Sequence, residues 1–193
     1  MLKRYLAIVV ILALRAAAQE FDTAIVNARV LDPESGLDAV RSIGIKGGRI
    51  TAISPDALRA RKVIDAKGLA VAPGFIDLHS HGQKPENYRF QARDGVTTAL
   101  ELEFGAWPVS SWYSARTGKA LINFGASSGH IPATMAVLHD SGTVLPRDEA
   151  VKRSPTRDEQ RAILEHVKQG LDEGALGVGL ESLTFPRSRA NRF

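Results

Sequence analysis

Residues 72–81 read Ala-Pro-Gly-Phe-Ile-Asp-Leu-His-Ser-His, and this stretch decides how the whole chain is interpreted. Residues 74–78 form a short apolar run that only Asp77 interrupts, which is typical of a buried parallel β-strand. His79 and His81 follow directly. Alternate residues of an extended backbone point to the same side, so both imidazoles can reach one metal ion. The alternative is a pair of ordinary surface histidines.

Downstream of this strand, helical and strand patterns alternate along the chain. Further strands are predicted at 96–103, 120–124 and 175–180, and helices at 85–94, 109–117 and 156–173. The last helix has the clearest start, because Thr156 and Glu159 form a capping box after Pro155. Strands that alternate with helices at this spacing predict a parallel sheet with helical crossovers.

Upstream, residues 19–72 consist of short β-branched stretches separated by turn residues. Gly47-Gly48 lies between the apolar stretches 42–46 and 49–53, which is a strong signal for a two-residue β-hairpin turn. About fifty residues of this kind predict a small β layer, which is too small to form a confident domain alone.

Several of these motifs resemble one known family. Residues 72–81 resemble the first-strand signature of the amidohydrolase superfamily, the metal-dependent hydrolases on a (β/α)8 barrel. Residues 48–53 are similar to part of the small β-sandwich that such enzymes build from both chain ends, and residues 94–103 resemble their second strand. Residues 119–132 and 173–180 look most like the N-acyl-D-amino-acid deacylase (D-aminoacylase) branch.

The resemblance implies an α/β fold that contains part of a β-sandwich and part of a barrel. Residues 19–72 are expected to form a partial β-sandwich, and residues 73–180 the first half of a TIM-like barrel, with about four of its eight strands. The chain is therefore interpreted as an N-terminal fragment of such an enzyme.

The resemblance also assigns metal ligands. His79 and His81 match the first ligand pair, whereas the cysteine that follows the second strand in D-aminoacylases falls near Phe104, and this chain has no cysteine. A carboxylate is expected to stand in, with Glu103 as the ligand and Glu101, which shares its face of the strand, behind it. Alternatively, one of the two carboxylates pairs with an arginine inside the barrel, because a buried carboxylate needs a partner.

His130 is the remaining candidate for the site. It follows a Gly/Ser-rich stretch that is interpreted as a turn at the end of the third strand. There it would line the pocket or bind the metal, or else serve as a hydrogen-bonded structural histidine.

The activity that the resemblance implies is metal-assisted hydrolysis of a non-peptide C–N bond, with one or two Zn²⁺ ions and an N-acyl-D-amino acid or related amide as the small-molecule substrate. The general-base aspartate and two further histidines of such enzymes come from later barrel strands, so this chain alone is expected to be inactive. Two alternatives stay open: a cyclic-amide hydrolase of the dihydroorotase or hydantoinase type, and a non-catalytic remnant or half-barrel that needs a partner chain.

The N-terminal residues resemble an export signal. Residues 1–18 combine Lys3 and Arg4, a ten-residue apolar run and three consecutive alanines, which are the parts of a secretory signal peptide. We therefore expect a periplasmic or secreted protein that keeps no stable membrane span after cleavage of the signal. The apolar run is about half the length that spans a bilayer.

The charge of the chain gives no support for a nucleic-acid partner. The formal net charge is +4, from 25 basic and 21 acidic residues. Six of the basic residues lie in residues 1–18 and 182–193, which contain no acid, so the remainder carries 19 basic and 21 acidic residues. The basicity therefore belongs to the two ends and forms no extended footprint.

The C-terminal residues differ from what the resemblance predicts. Relatives are expected to continue Gly-Ile-Ala-Tyr-Phe-Pro where this chain reads Glu-Ser-Leu-Thr-Phe-Pro over residues 181–186. Deletion of one base from suitable codons converts the first reading into the second. Residues 181–193 are therefore interpreted as an aberrant tail produced by a frameshift.

Overall fold

The computed structural model describes residues 21–180, and the chain divides between Pro73 and Gly74 into two compact units. The signal-peptide and frameshift predictions fall on residues 1–18 and 181–193, which lie outside the described residues.

The first unit is a single five-stranded sheet. Its strands are β1 (Phe21–Asp32), β2 (Leu37–Lys46), β3 (Arg49–Ser54), β4 (Ala60–Asp65) and β5 (Ala70–Val71). Their order is β3-β2-β1-β4, with β5 also beside β1, and β1 to β3 are antiparallel neighbours whereas β4 and β5 run parallel to β1. Gly47 and Gly48 join β2 to β3 with φ of +57° and +74°, which confirms the predicted hairpin.

One face of this sheet holds a small core around Ala28, Val30 and Ile43. Other apolar side chains stay open: Val40 is 63% and Val63 is 56% exposed. A sheet with such uncovered apolar side chains is what one layer of a β-sandwich looks like, since the two layers of a sandwich cover each other.

The second unit alternates strands and helices, as the sequence predicts. Its elements are β6 (Phe75–Asp77), α1 (Pro85–Arg93), β7 (Val96–Ala106), α2 (Val109–Ser114), β8 (Asn123–Gly129), α3 (His130–Val137), α4 (Glu149–Lys152), α5 (Arg157–Asp172) and β9 (Val178–Gly179). The strands lie in the order β6-β7-β8-β9 and every neighbouring pair is parallel. Within residues 74–180 the sheet is open, so this is part of a barrel-like sheet and not a closed barrel.

The helices cover one face of this sheet through two small apolar clusters. Val109 of α2 packs on Ala106 and Ala126 of the strands, and Ala133 of α3 packs on Ile163 and Val167 of α5. The spacing of Ile163, Leu164, Val167 and Leu171 predicts one apolar face for α5. The structure buries only the first and third of them, whereas Leu164 is 51% and Leu171 is 40% exposed.

The start of α5 confirms the predicted capping box. The Glu159 N–H donates to Thr156 Oγ1 at 3.3 Å, and the Thr156 N–H donates to Glu159 Oε2 at 2.7 Å. The last helical turn is followed by Gly174 with φ of +98°, a backbone conformation that favours glycine.

The predicted third strand at 120–124 is wrong in its position. The strand is Asn123–Gly129, so the Gly/Ser-rich stretch that was interpreted as a turn lies inside β8 and is buried. These small residues are needed for close packing: a Cβ on Gly129 would lie 2.3 Å from the Phe104 carbonyl oxygen, and Ser128 Oγ donates to the Val167 carbonyl at 2.9 Å.

The other boundaries differ by a few residues. β7 continues to Ala106, and the fourth strand, expected over 175–180, contains only Val178–Gly179. None of the helices within residues 21–180 is long and apolar enough to cross a membrane.

Candidate metal centre

The loop after β6 carries the two histidines to the carboxyl-end edge of the parallel sheet. The His79 N–H donates to Asp77 Oδ1 at 3.0 Å, and the Ser80 N–H donates to the Leu100 carbonyl of β7 at 3.0 Å. The loop therefore continues beside β7 in extended form, and His79 and His81 emerge on one side, as their spacing predicts.

A buried polar network beneath this loop holds it in place. Tyr88 O–H donates to Gln83 Oε1 at 2.9 Å, Gln83 Nε2 donates to the Ser80 carbonyl at 3.0 Å, and Gln91 Nε2 donates to Ser80 Oγ at 2.8 Å. Burial raises the pKa of Tyr88, which keeps the phenol a donor. This network was not predicted from the sequence. The sequence offers one indication of it: if His79 and His81 point outward, then Ser80 between them must point to the buried side of the loop.

Three donor atoms converge above the loop. His79 Nε2 lies 2.6 Å from Glu103 Oε2, His81 Nε2 lies 3.3 Å from the same oxygen, and the two imidazole nitrogens are 2.8 Å apart. The rings meet edge to face, with their centroids 4.6 Å apart. Among residues 21–180, these three side chains are the one group of at least three His, Cys, Asp or Glu residues whose donors lie close enough for a single metal ion.

The donor set fits a divalent transition metal. Two neutral imidazoles and one carboxylate are ligands that Zn²⁺ uses in catalytic sites, where an open position remains for water or substrate. At the usual Zn–N and Zn–O lengths, tetrahedral ligands are about 3.4 Å apart, so each observed separation is within about 1 Å of that spacing. The side chains are 63%, 49% and 40% exposed for His79, His81 and Glu103, which leaves the open side of the group accessible.

Glu101 lies on the opposite side of His81 from these donors. Its carboxylate oxygens are 2.9 and 3.0 Å from His81 Nδ1, and the residue is only 7% exposed. The structure thus gives this carboxylate a histidine partner instead of the interior arginine that was the alternative. The hydrogen bond to Glu101, followed by that to Glu103, raises the pKa of His81 above 6.5 although burial opposes the shift.

The structure does not bring His130 to this group. It is the first residue of α3, its side chain is exposed, and it borders an apolar pocket lined by Ile163, Leu164 and Val167 of α5 together with Leu180. The reason is the length of β8, which continues through the predicted turn to Gly129, so that His130 already belongs to α3.

Comparisons with known proteins agree with this arrangement. The model of the family described as "Amidohydrolase family" matches residues 62–191, which includes part of the segment interpreted as a frameshifted tail. Allantoinase of Escherichia coli K12 is 32% identical over 136 residues, which is 62% of this chain and 30% of the relative.

Two solved structures resemble the chain closely in fold. N-acyl-D-glutamate deacylase from Bordetella bronchiseptica, solved with zinc and a phosphonate inhibitor, gives a TM-score of 0.66 at 26% identity over 83% of this chain and 38% of the neighbour. A D-aminoacylase variant solved with copper gives 0.67 at 25% identity over 82% and 38%.

The chain thus spans about a third of the length of the relatives that it matches. The family model covers more than half of the chain, and these neighbours contain the expected barrel. The predicted resemblance is confirmed: this chain belongs to the amidohydrolase family.

Proposed function

We propose that this chain belongs to an enzyme that hydrolyses N-acyl-D-amino acids with one Zn²⁺ ion held by His79, His81 and Glu103. The observation that carries the proposal is the convergence of these three donor atoms at separations of 2.6 to 3.3 Å on the edge where amidohydrolase barrels place their chemistry. The donors described here account for one ion, and a second would need further ligands.

The chain's own residues have three tasks in this proposal. Glu103 supplies negative charge to the site, the two imidazole Nε2 atoms supply neutral ligands, and Asp77 fixes the first turn of the loop that carries them. The buried partners of Ser80 keep the loop from moving when the exposed side is occupied. When bound, a zinc ion supplies Lewis-acid polarisation of the amide carbonyl and lowers the pKa of water.

The choice of substrate rests on the deacylase neighbours. One neighbour is an N-acyl-D-glutamate deacylase and the other a D-aminoacylase, and their folds match with TM-scores above 0.6. A second candidate is the hydrolysis of a cyclic amide. The 32% identity to allantoinase, an enzyme named for the cyclic amide allantoin, favours it.

We further propose that residues 74–180 need additional barrel strands for turnover. Apolar side chains on the outer strands of the sheet are open, with Phe75 67% and Ile76 62% exposed on β6. Such surfaces are normally covered by the remaining strands and helices of a barrel. The chain alone is therefore expected to bind metal without turnover and to aggregate at high concentration.

The test compares the purified chain with the product of a gene whose reading frame is corrected after Leu180. We expect about one zinc per chain in both proteins, and hydrolysis of N-acetyl-D-glutamate by the corrected product only. Hydrolysis of hydantoins instead of N-acetyl-D-amino acids would favour the second candidate. A chain that folds cooperatively but retains no zinc would contradict the proposal.

We also propose that the protein is exported. The support is the composition of residues 1–18, with two basic residues before an apolar run. Expression of the chain with an epitope tag, followed by fractionation, should place the mature protein outside the cytoplasm, with its N-terminus near Gln19.

A further inference from the structure

A buried carboxylate with a single polar partner lies directly beside the candidate metal centre. Glu101 is 7% exposed, and among residues 21–180 its one ion-pair partner is His81. Burying a charged carboxylate costs free energy unless the group is hydrogen-bonded, so the contact with His81 is what makes this buried position tolerable. Both oxygens face the same nitrogen, Nδ1, at 2.9 and 3.0 Å.

The backbone fixes the approach of these two side chains. His79 and Glu101 form an isolated antiparallel β-bridge, and the Ser80 N–H donates to the Leu100 carbonyl. This bridge holds the loop against β7 directly beside the contact between Glu101 and His81. Glu101 reaches the imidazole from the sheet, whereas Glu103 meets it from the open edge.

We propose that Glu101 is a positioning residue that accepts the Nδ1–H hydrogen bond of His81 and thereby keeps Nε2 unprotonated and directed at the metal position. A neutral imidazole carries one proton, so an acceptor at Nδ1 selects the tautomer whose lone pair is on Nε2. That nitrogen is the one that lies near His79 and Glu103. Carboxylates that orient a ligating imidazole typically change metal affinity by about 10- to 100-fold when removed.

This assignment separates the two glutamates of β7. Glu103 offers an oxygen to the metal position, while Glu101 acts only through His81 and does not belong to the three-donor group. The effect on metal affinity rests on the proposed function; the tautomer does not, because it is a property of the metal-free chain.

The experiment uses the full chain and four variants: Glu101→Met, Glu101→Gln, His81→Gln and the double variant Glu101→Met/His81→Gln. Nitrogen-15 NMR of the histidine rings, recorded at a pH where the imidazoles are neutral and with the His81 signal identified by its loss in His81→Gln, reports the tautomer without metal. Zinc affinity is then measured by competition with a chromophoric chelator, and circular dichroism shows that each variant is folded.

We expect the Nδ1–H tautomer in the wild-type chain and in Glu101→Gln, whose amide oxygen still accepts the hydrogen bond. Glu101→Met should shift the population towards Nε2–H and weaken zinc binding about 10- to 100-fold. In the His81→Gln background, Glu101→Met should cause no further loss of zinc affinity, because Glu101 acts only through the imidazole that is now absent.

A wild-type His81 in the Nε2–H tautomer would overturn the inference, and this result needs no variant to fold. Equal tautomer populations and equal zinc affinity in the wild type and Glu101→Met would overturn it as well. Absence of zinc binding in the wild type would contradict the proposed function, while the tautomer would still decide the role of Glu101.

Discussion

Glu103 and Asp140 are both half-buried carboxylates of the second unit, but they have opposite kinds of partner. Glu103 contacts the ring nitrogens of His79 and His81. Asp140 accepts four backbone hydrogen bonds of 2.9 to 3.0 Å, from the N–H groups of Gly142, Arg147, Asp148 and Ala150. Although desolvation raises the pKa of Asp140, these N–H groups lower it further than desolvation raises it.

The difference shows how to recognise a carboxylate that is available to a cation. Backbone N–H groups occupy both oxygens of Asp140, so this residue organises the loop between α3 and α4 and has no electron pair well placed for a metal. The partners of Glu103 are imidazole nitrogens, which are common ligands of metal ions, and its side chain is 40% exposed. The number of acids in a region therefore says less about function than the identity of their donors.

The largest expected effect comes from Glu103→Gln. The amide keeps the size of the side chain but removes the charge and the strong oxygen ligand, so zinc affinity should fall on the order of 100-fold or more. Competition with a chromophoric chelator measures this loss. Unfolding in urea should be nearly unchanged, because the side chain lies at an exposed edge. Equal zinc affinity in the variant would remove Glu103 from the site.

The reverse result is expected for Asp140→Asn. In the wild type the backbone N–H groups donate to a carboxylate, whereas in the variant some of them would face the NH₂ group of the amide, which cannot accept a hydrogen bond. The thermal midpoint should therefore fall by about 2–4 °C, while zinc affinity stays constant. Differential scanning fluorimetry checks the first expectation. Asp158→Asn is the matched control, because Asp158 is 83% exposed and, among residues 21–180, forms an ion pair only with Arg161. A change in zinc affinity in Asp140→Asn would contradict the claim that Glu103, and not Asp140, is available to the metal.

The smallest expected effect is on the pH dependence of stability, and it concerns Glu159, a carboxylate with one side-chain and one backbone partner. Glu159 accepts hydrogen bonds from Arg153 and from the backbone of Thr156, which lower its pKa from 4.5 to about 2. A depressed folded-state pKa contributes stability above pH 4.5, and this contribution is lost as the pH falls from 4.5 towards 2.

Glu159→Gln should therefore be less stable than the wild type at pH 6, and the difference should disappear near pH 2. Chemical denaturation at several pH values provides the comparison, with Glu165→Gln as a control for an exposed acid on the same helix. A gap between Glu159→Gln and the wild type that is independent of pH would show that the charge of Glu159 has no role.

Much of the fold follows from local patterns in the sequence. Gly47-Gly48 predicts its hairpin because two left-handed residues suit the twist of the strands, and Thr156 with Glu159 predicts the start of α5 because the capping geometry is local. The i, i+2 spacing of His79 and His81 likewise predicts that the two rings lie on one side of the loop, where their Nε2 atoms are 2.8 Å apart. Each of these features depends on residues fewer than five positions apart.

The features that local sequence patterns do not predict depend on contacts between residues far apart in the chain. The Gly/Ser-rich end of β8 has turn composition, yet it pairs as a strand with β7 and β9. Its residues are small because Phe104 and Val167 lie too close for larger side chains. The separate roles of Glu101 and Glu103 are equally non-local. Strand alternation places both on one face, and only the position of His81 shows that one meets Nδ1 and the other Nε2.

X-ray absorption at the zinc edge of the zinc-loaded chain tests the central claim most directly. We expect one zinc per chain, with two imidazole nitrogens and carboxylate or water oxygens at about 2.0–2.1 Å, and one imidazole fewer in His79→Gln. A spectrum with an all-oxygen shell, or one that His79→Gln leaves unchanged, would show that zinc binds elsewhere and would contradict the assignment of His79, His81 and Glu103 as its ligands.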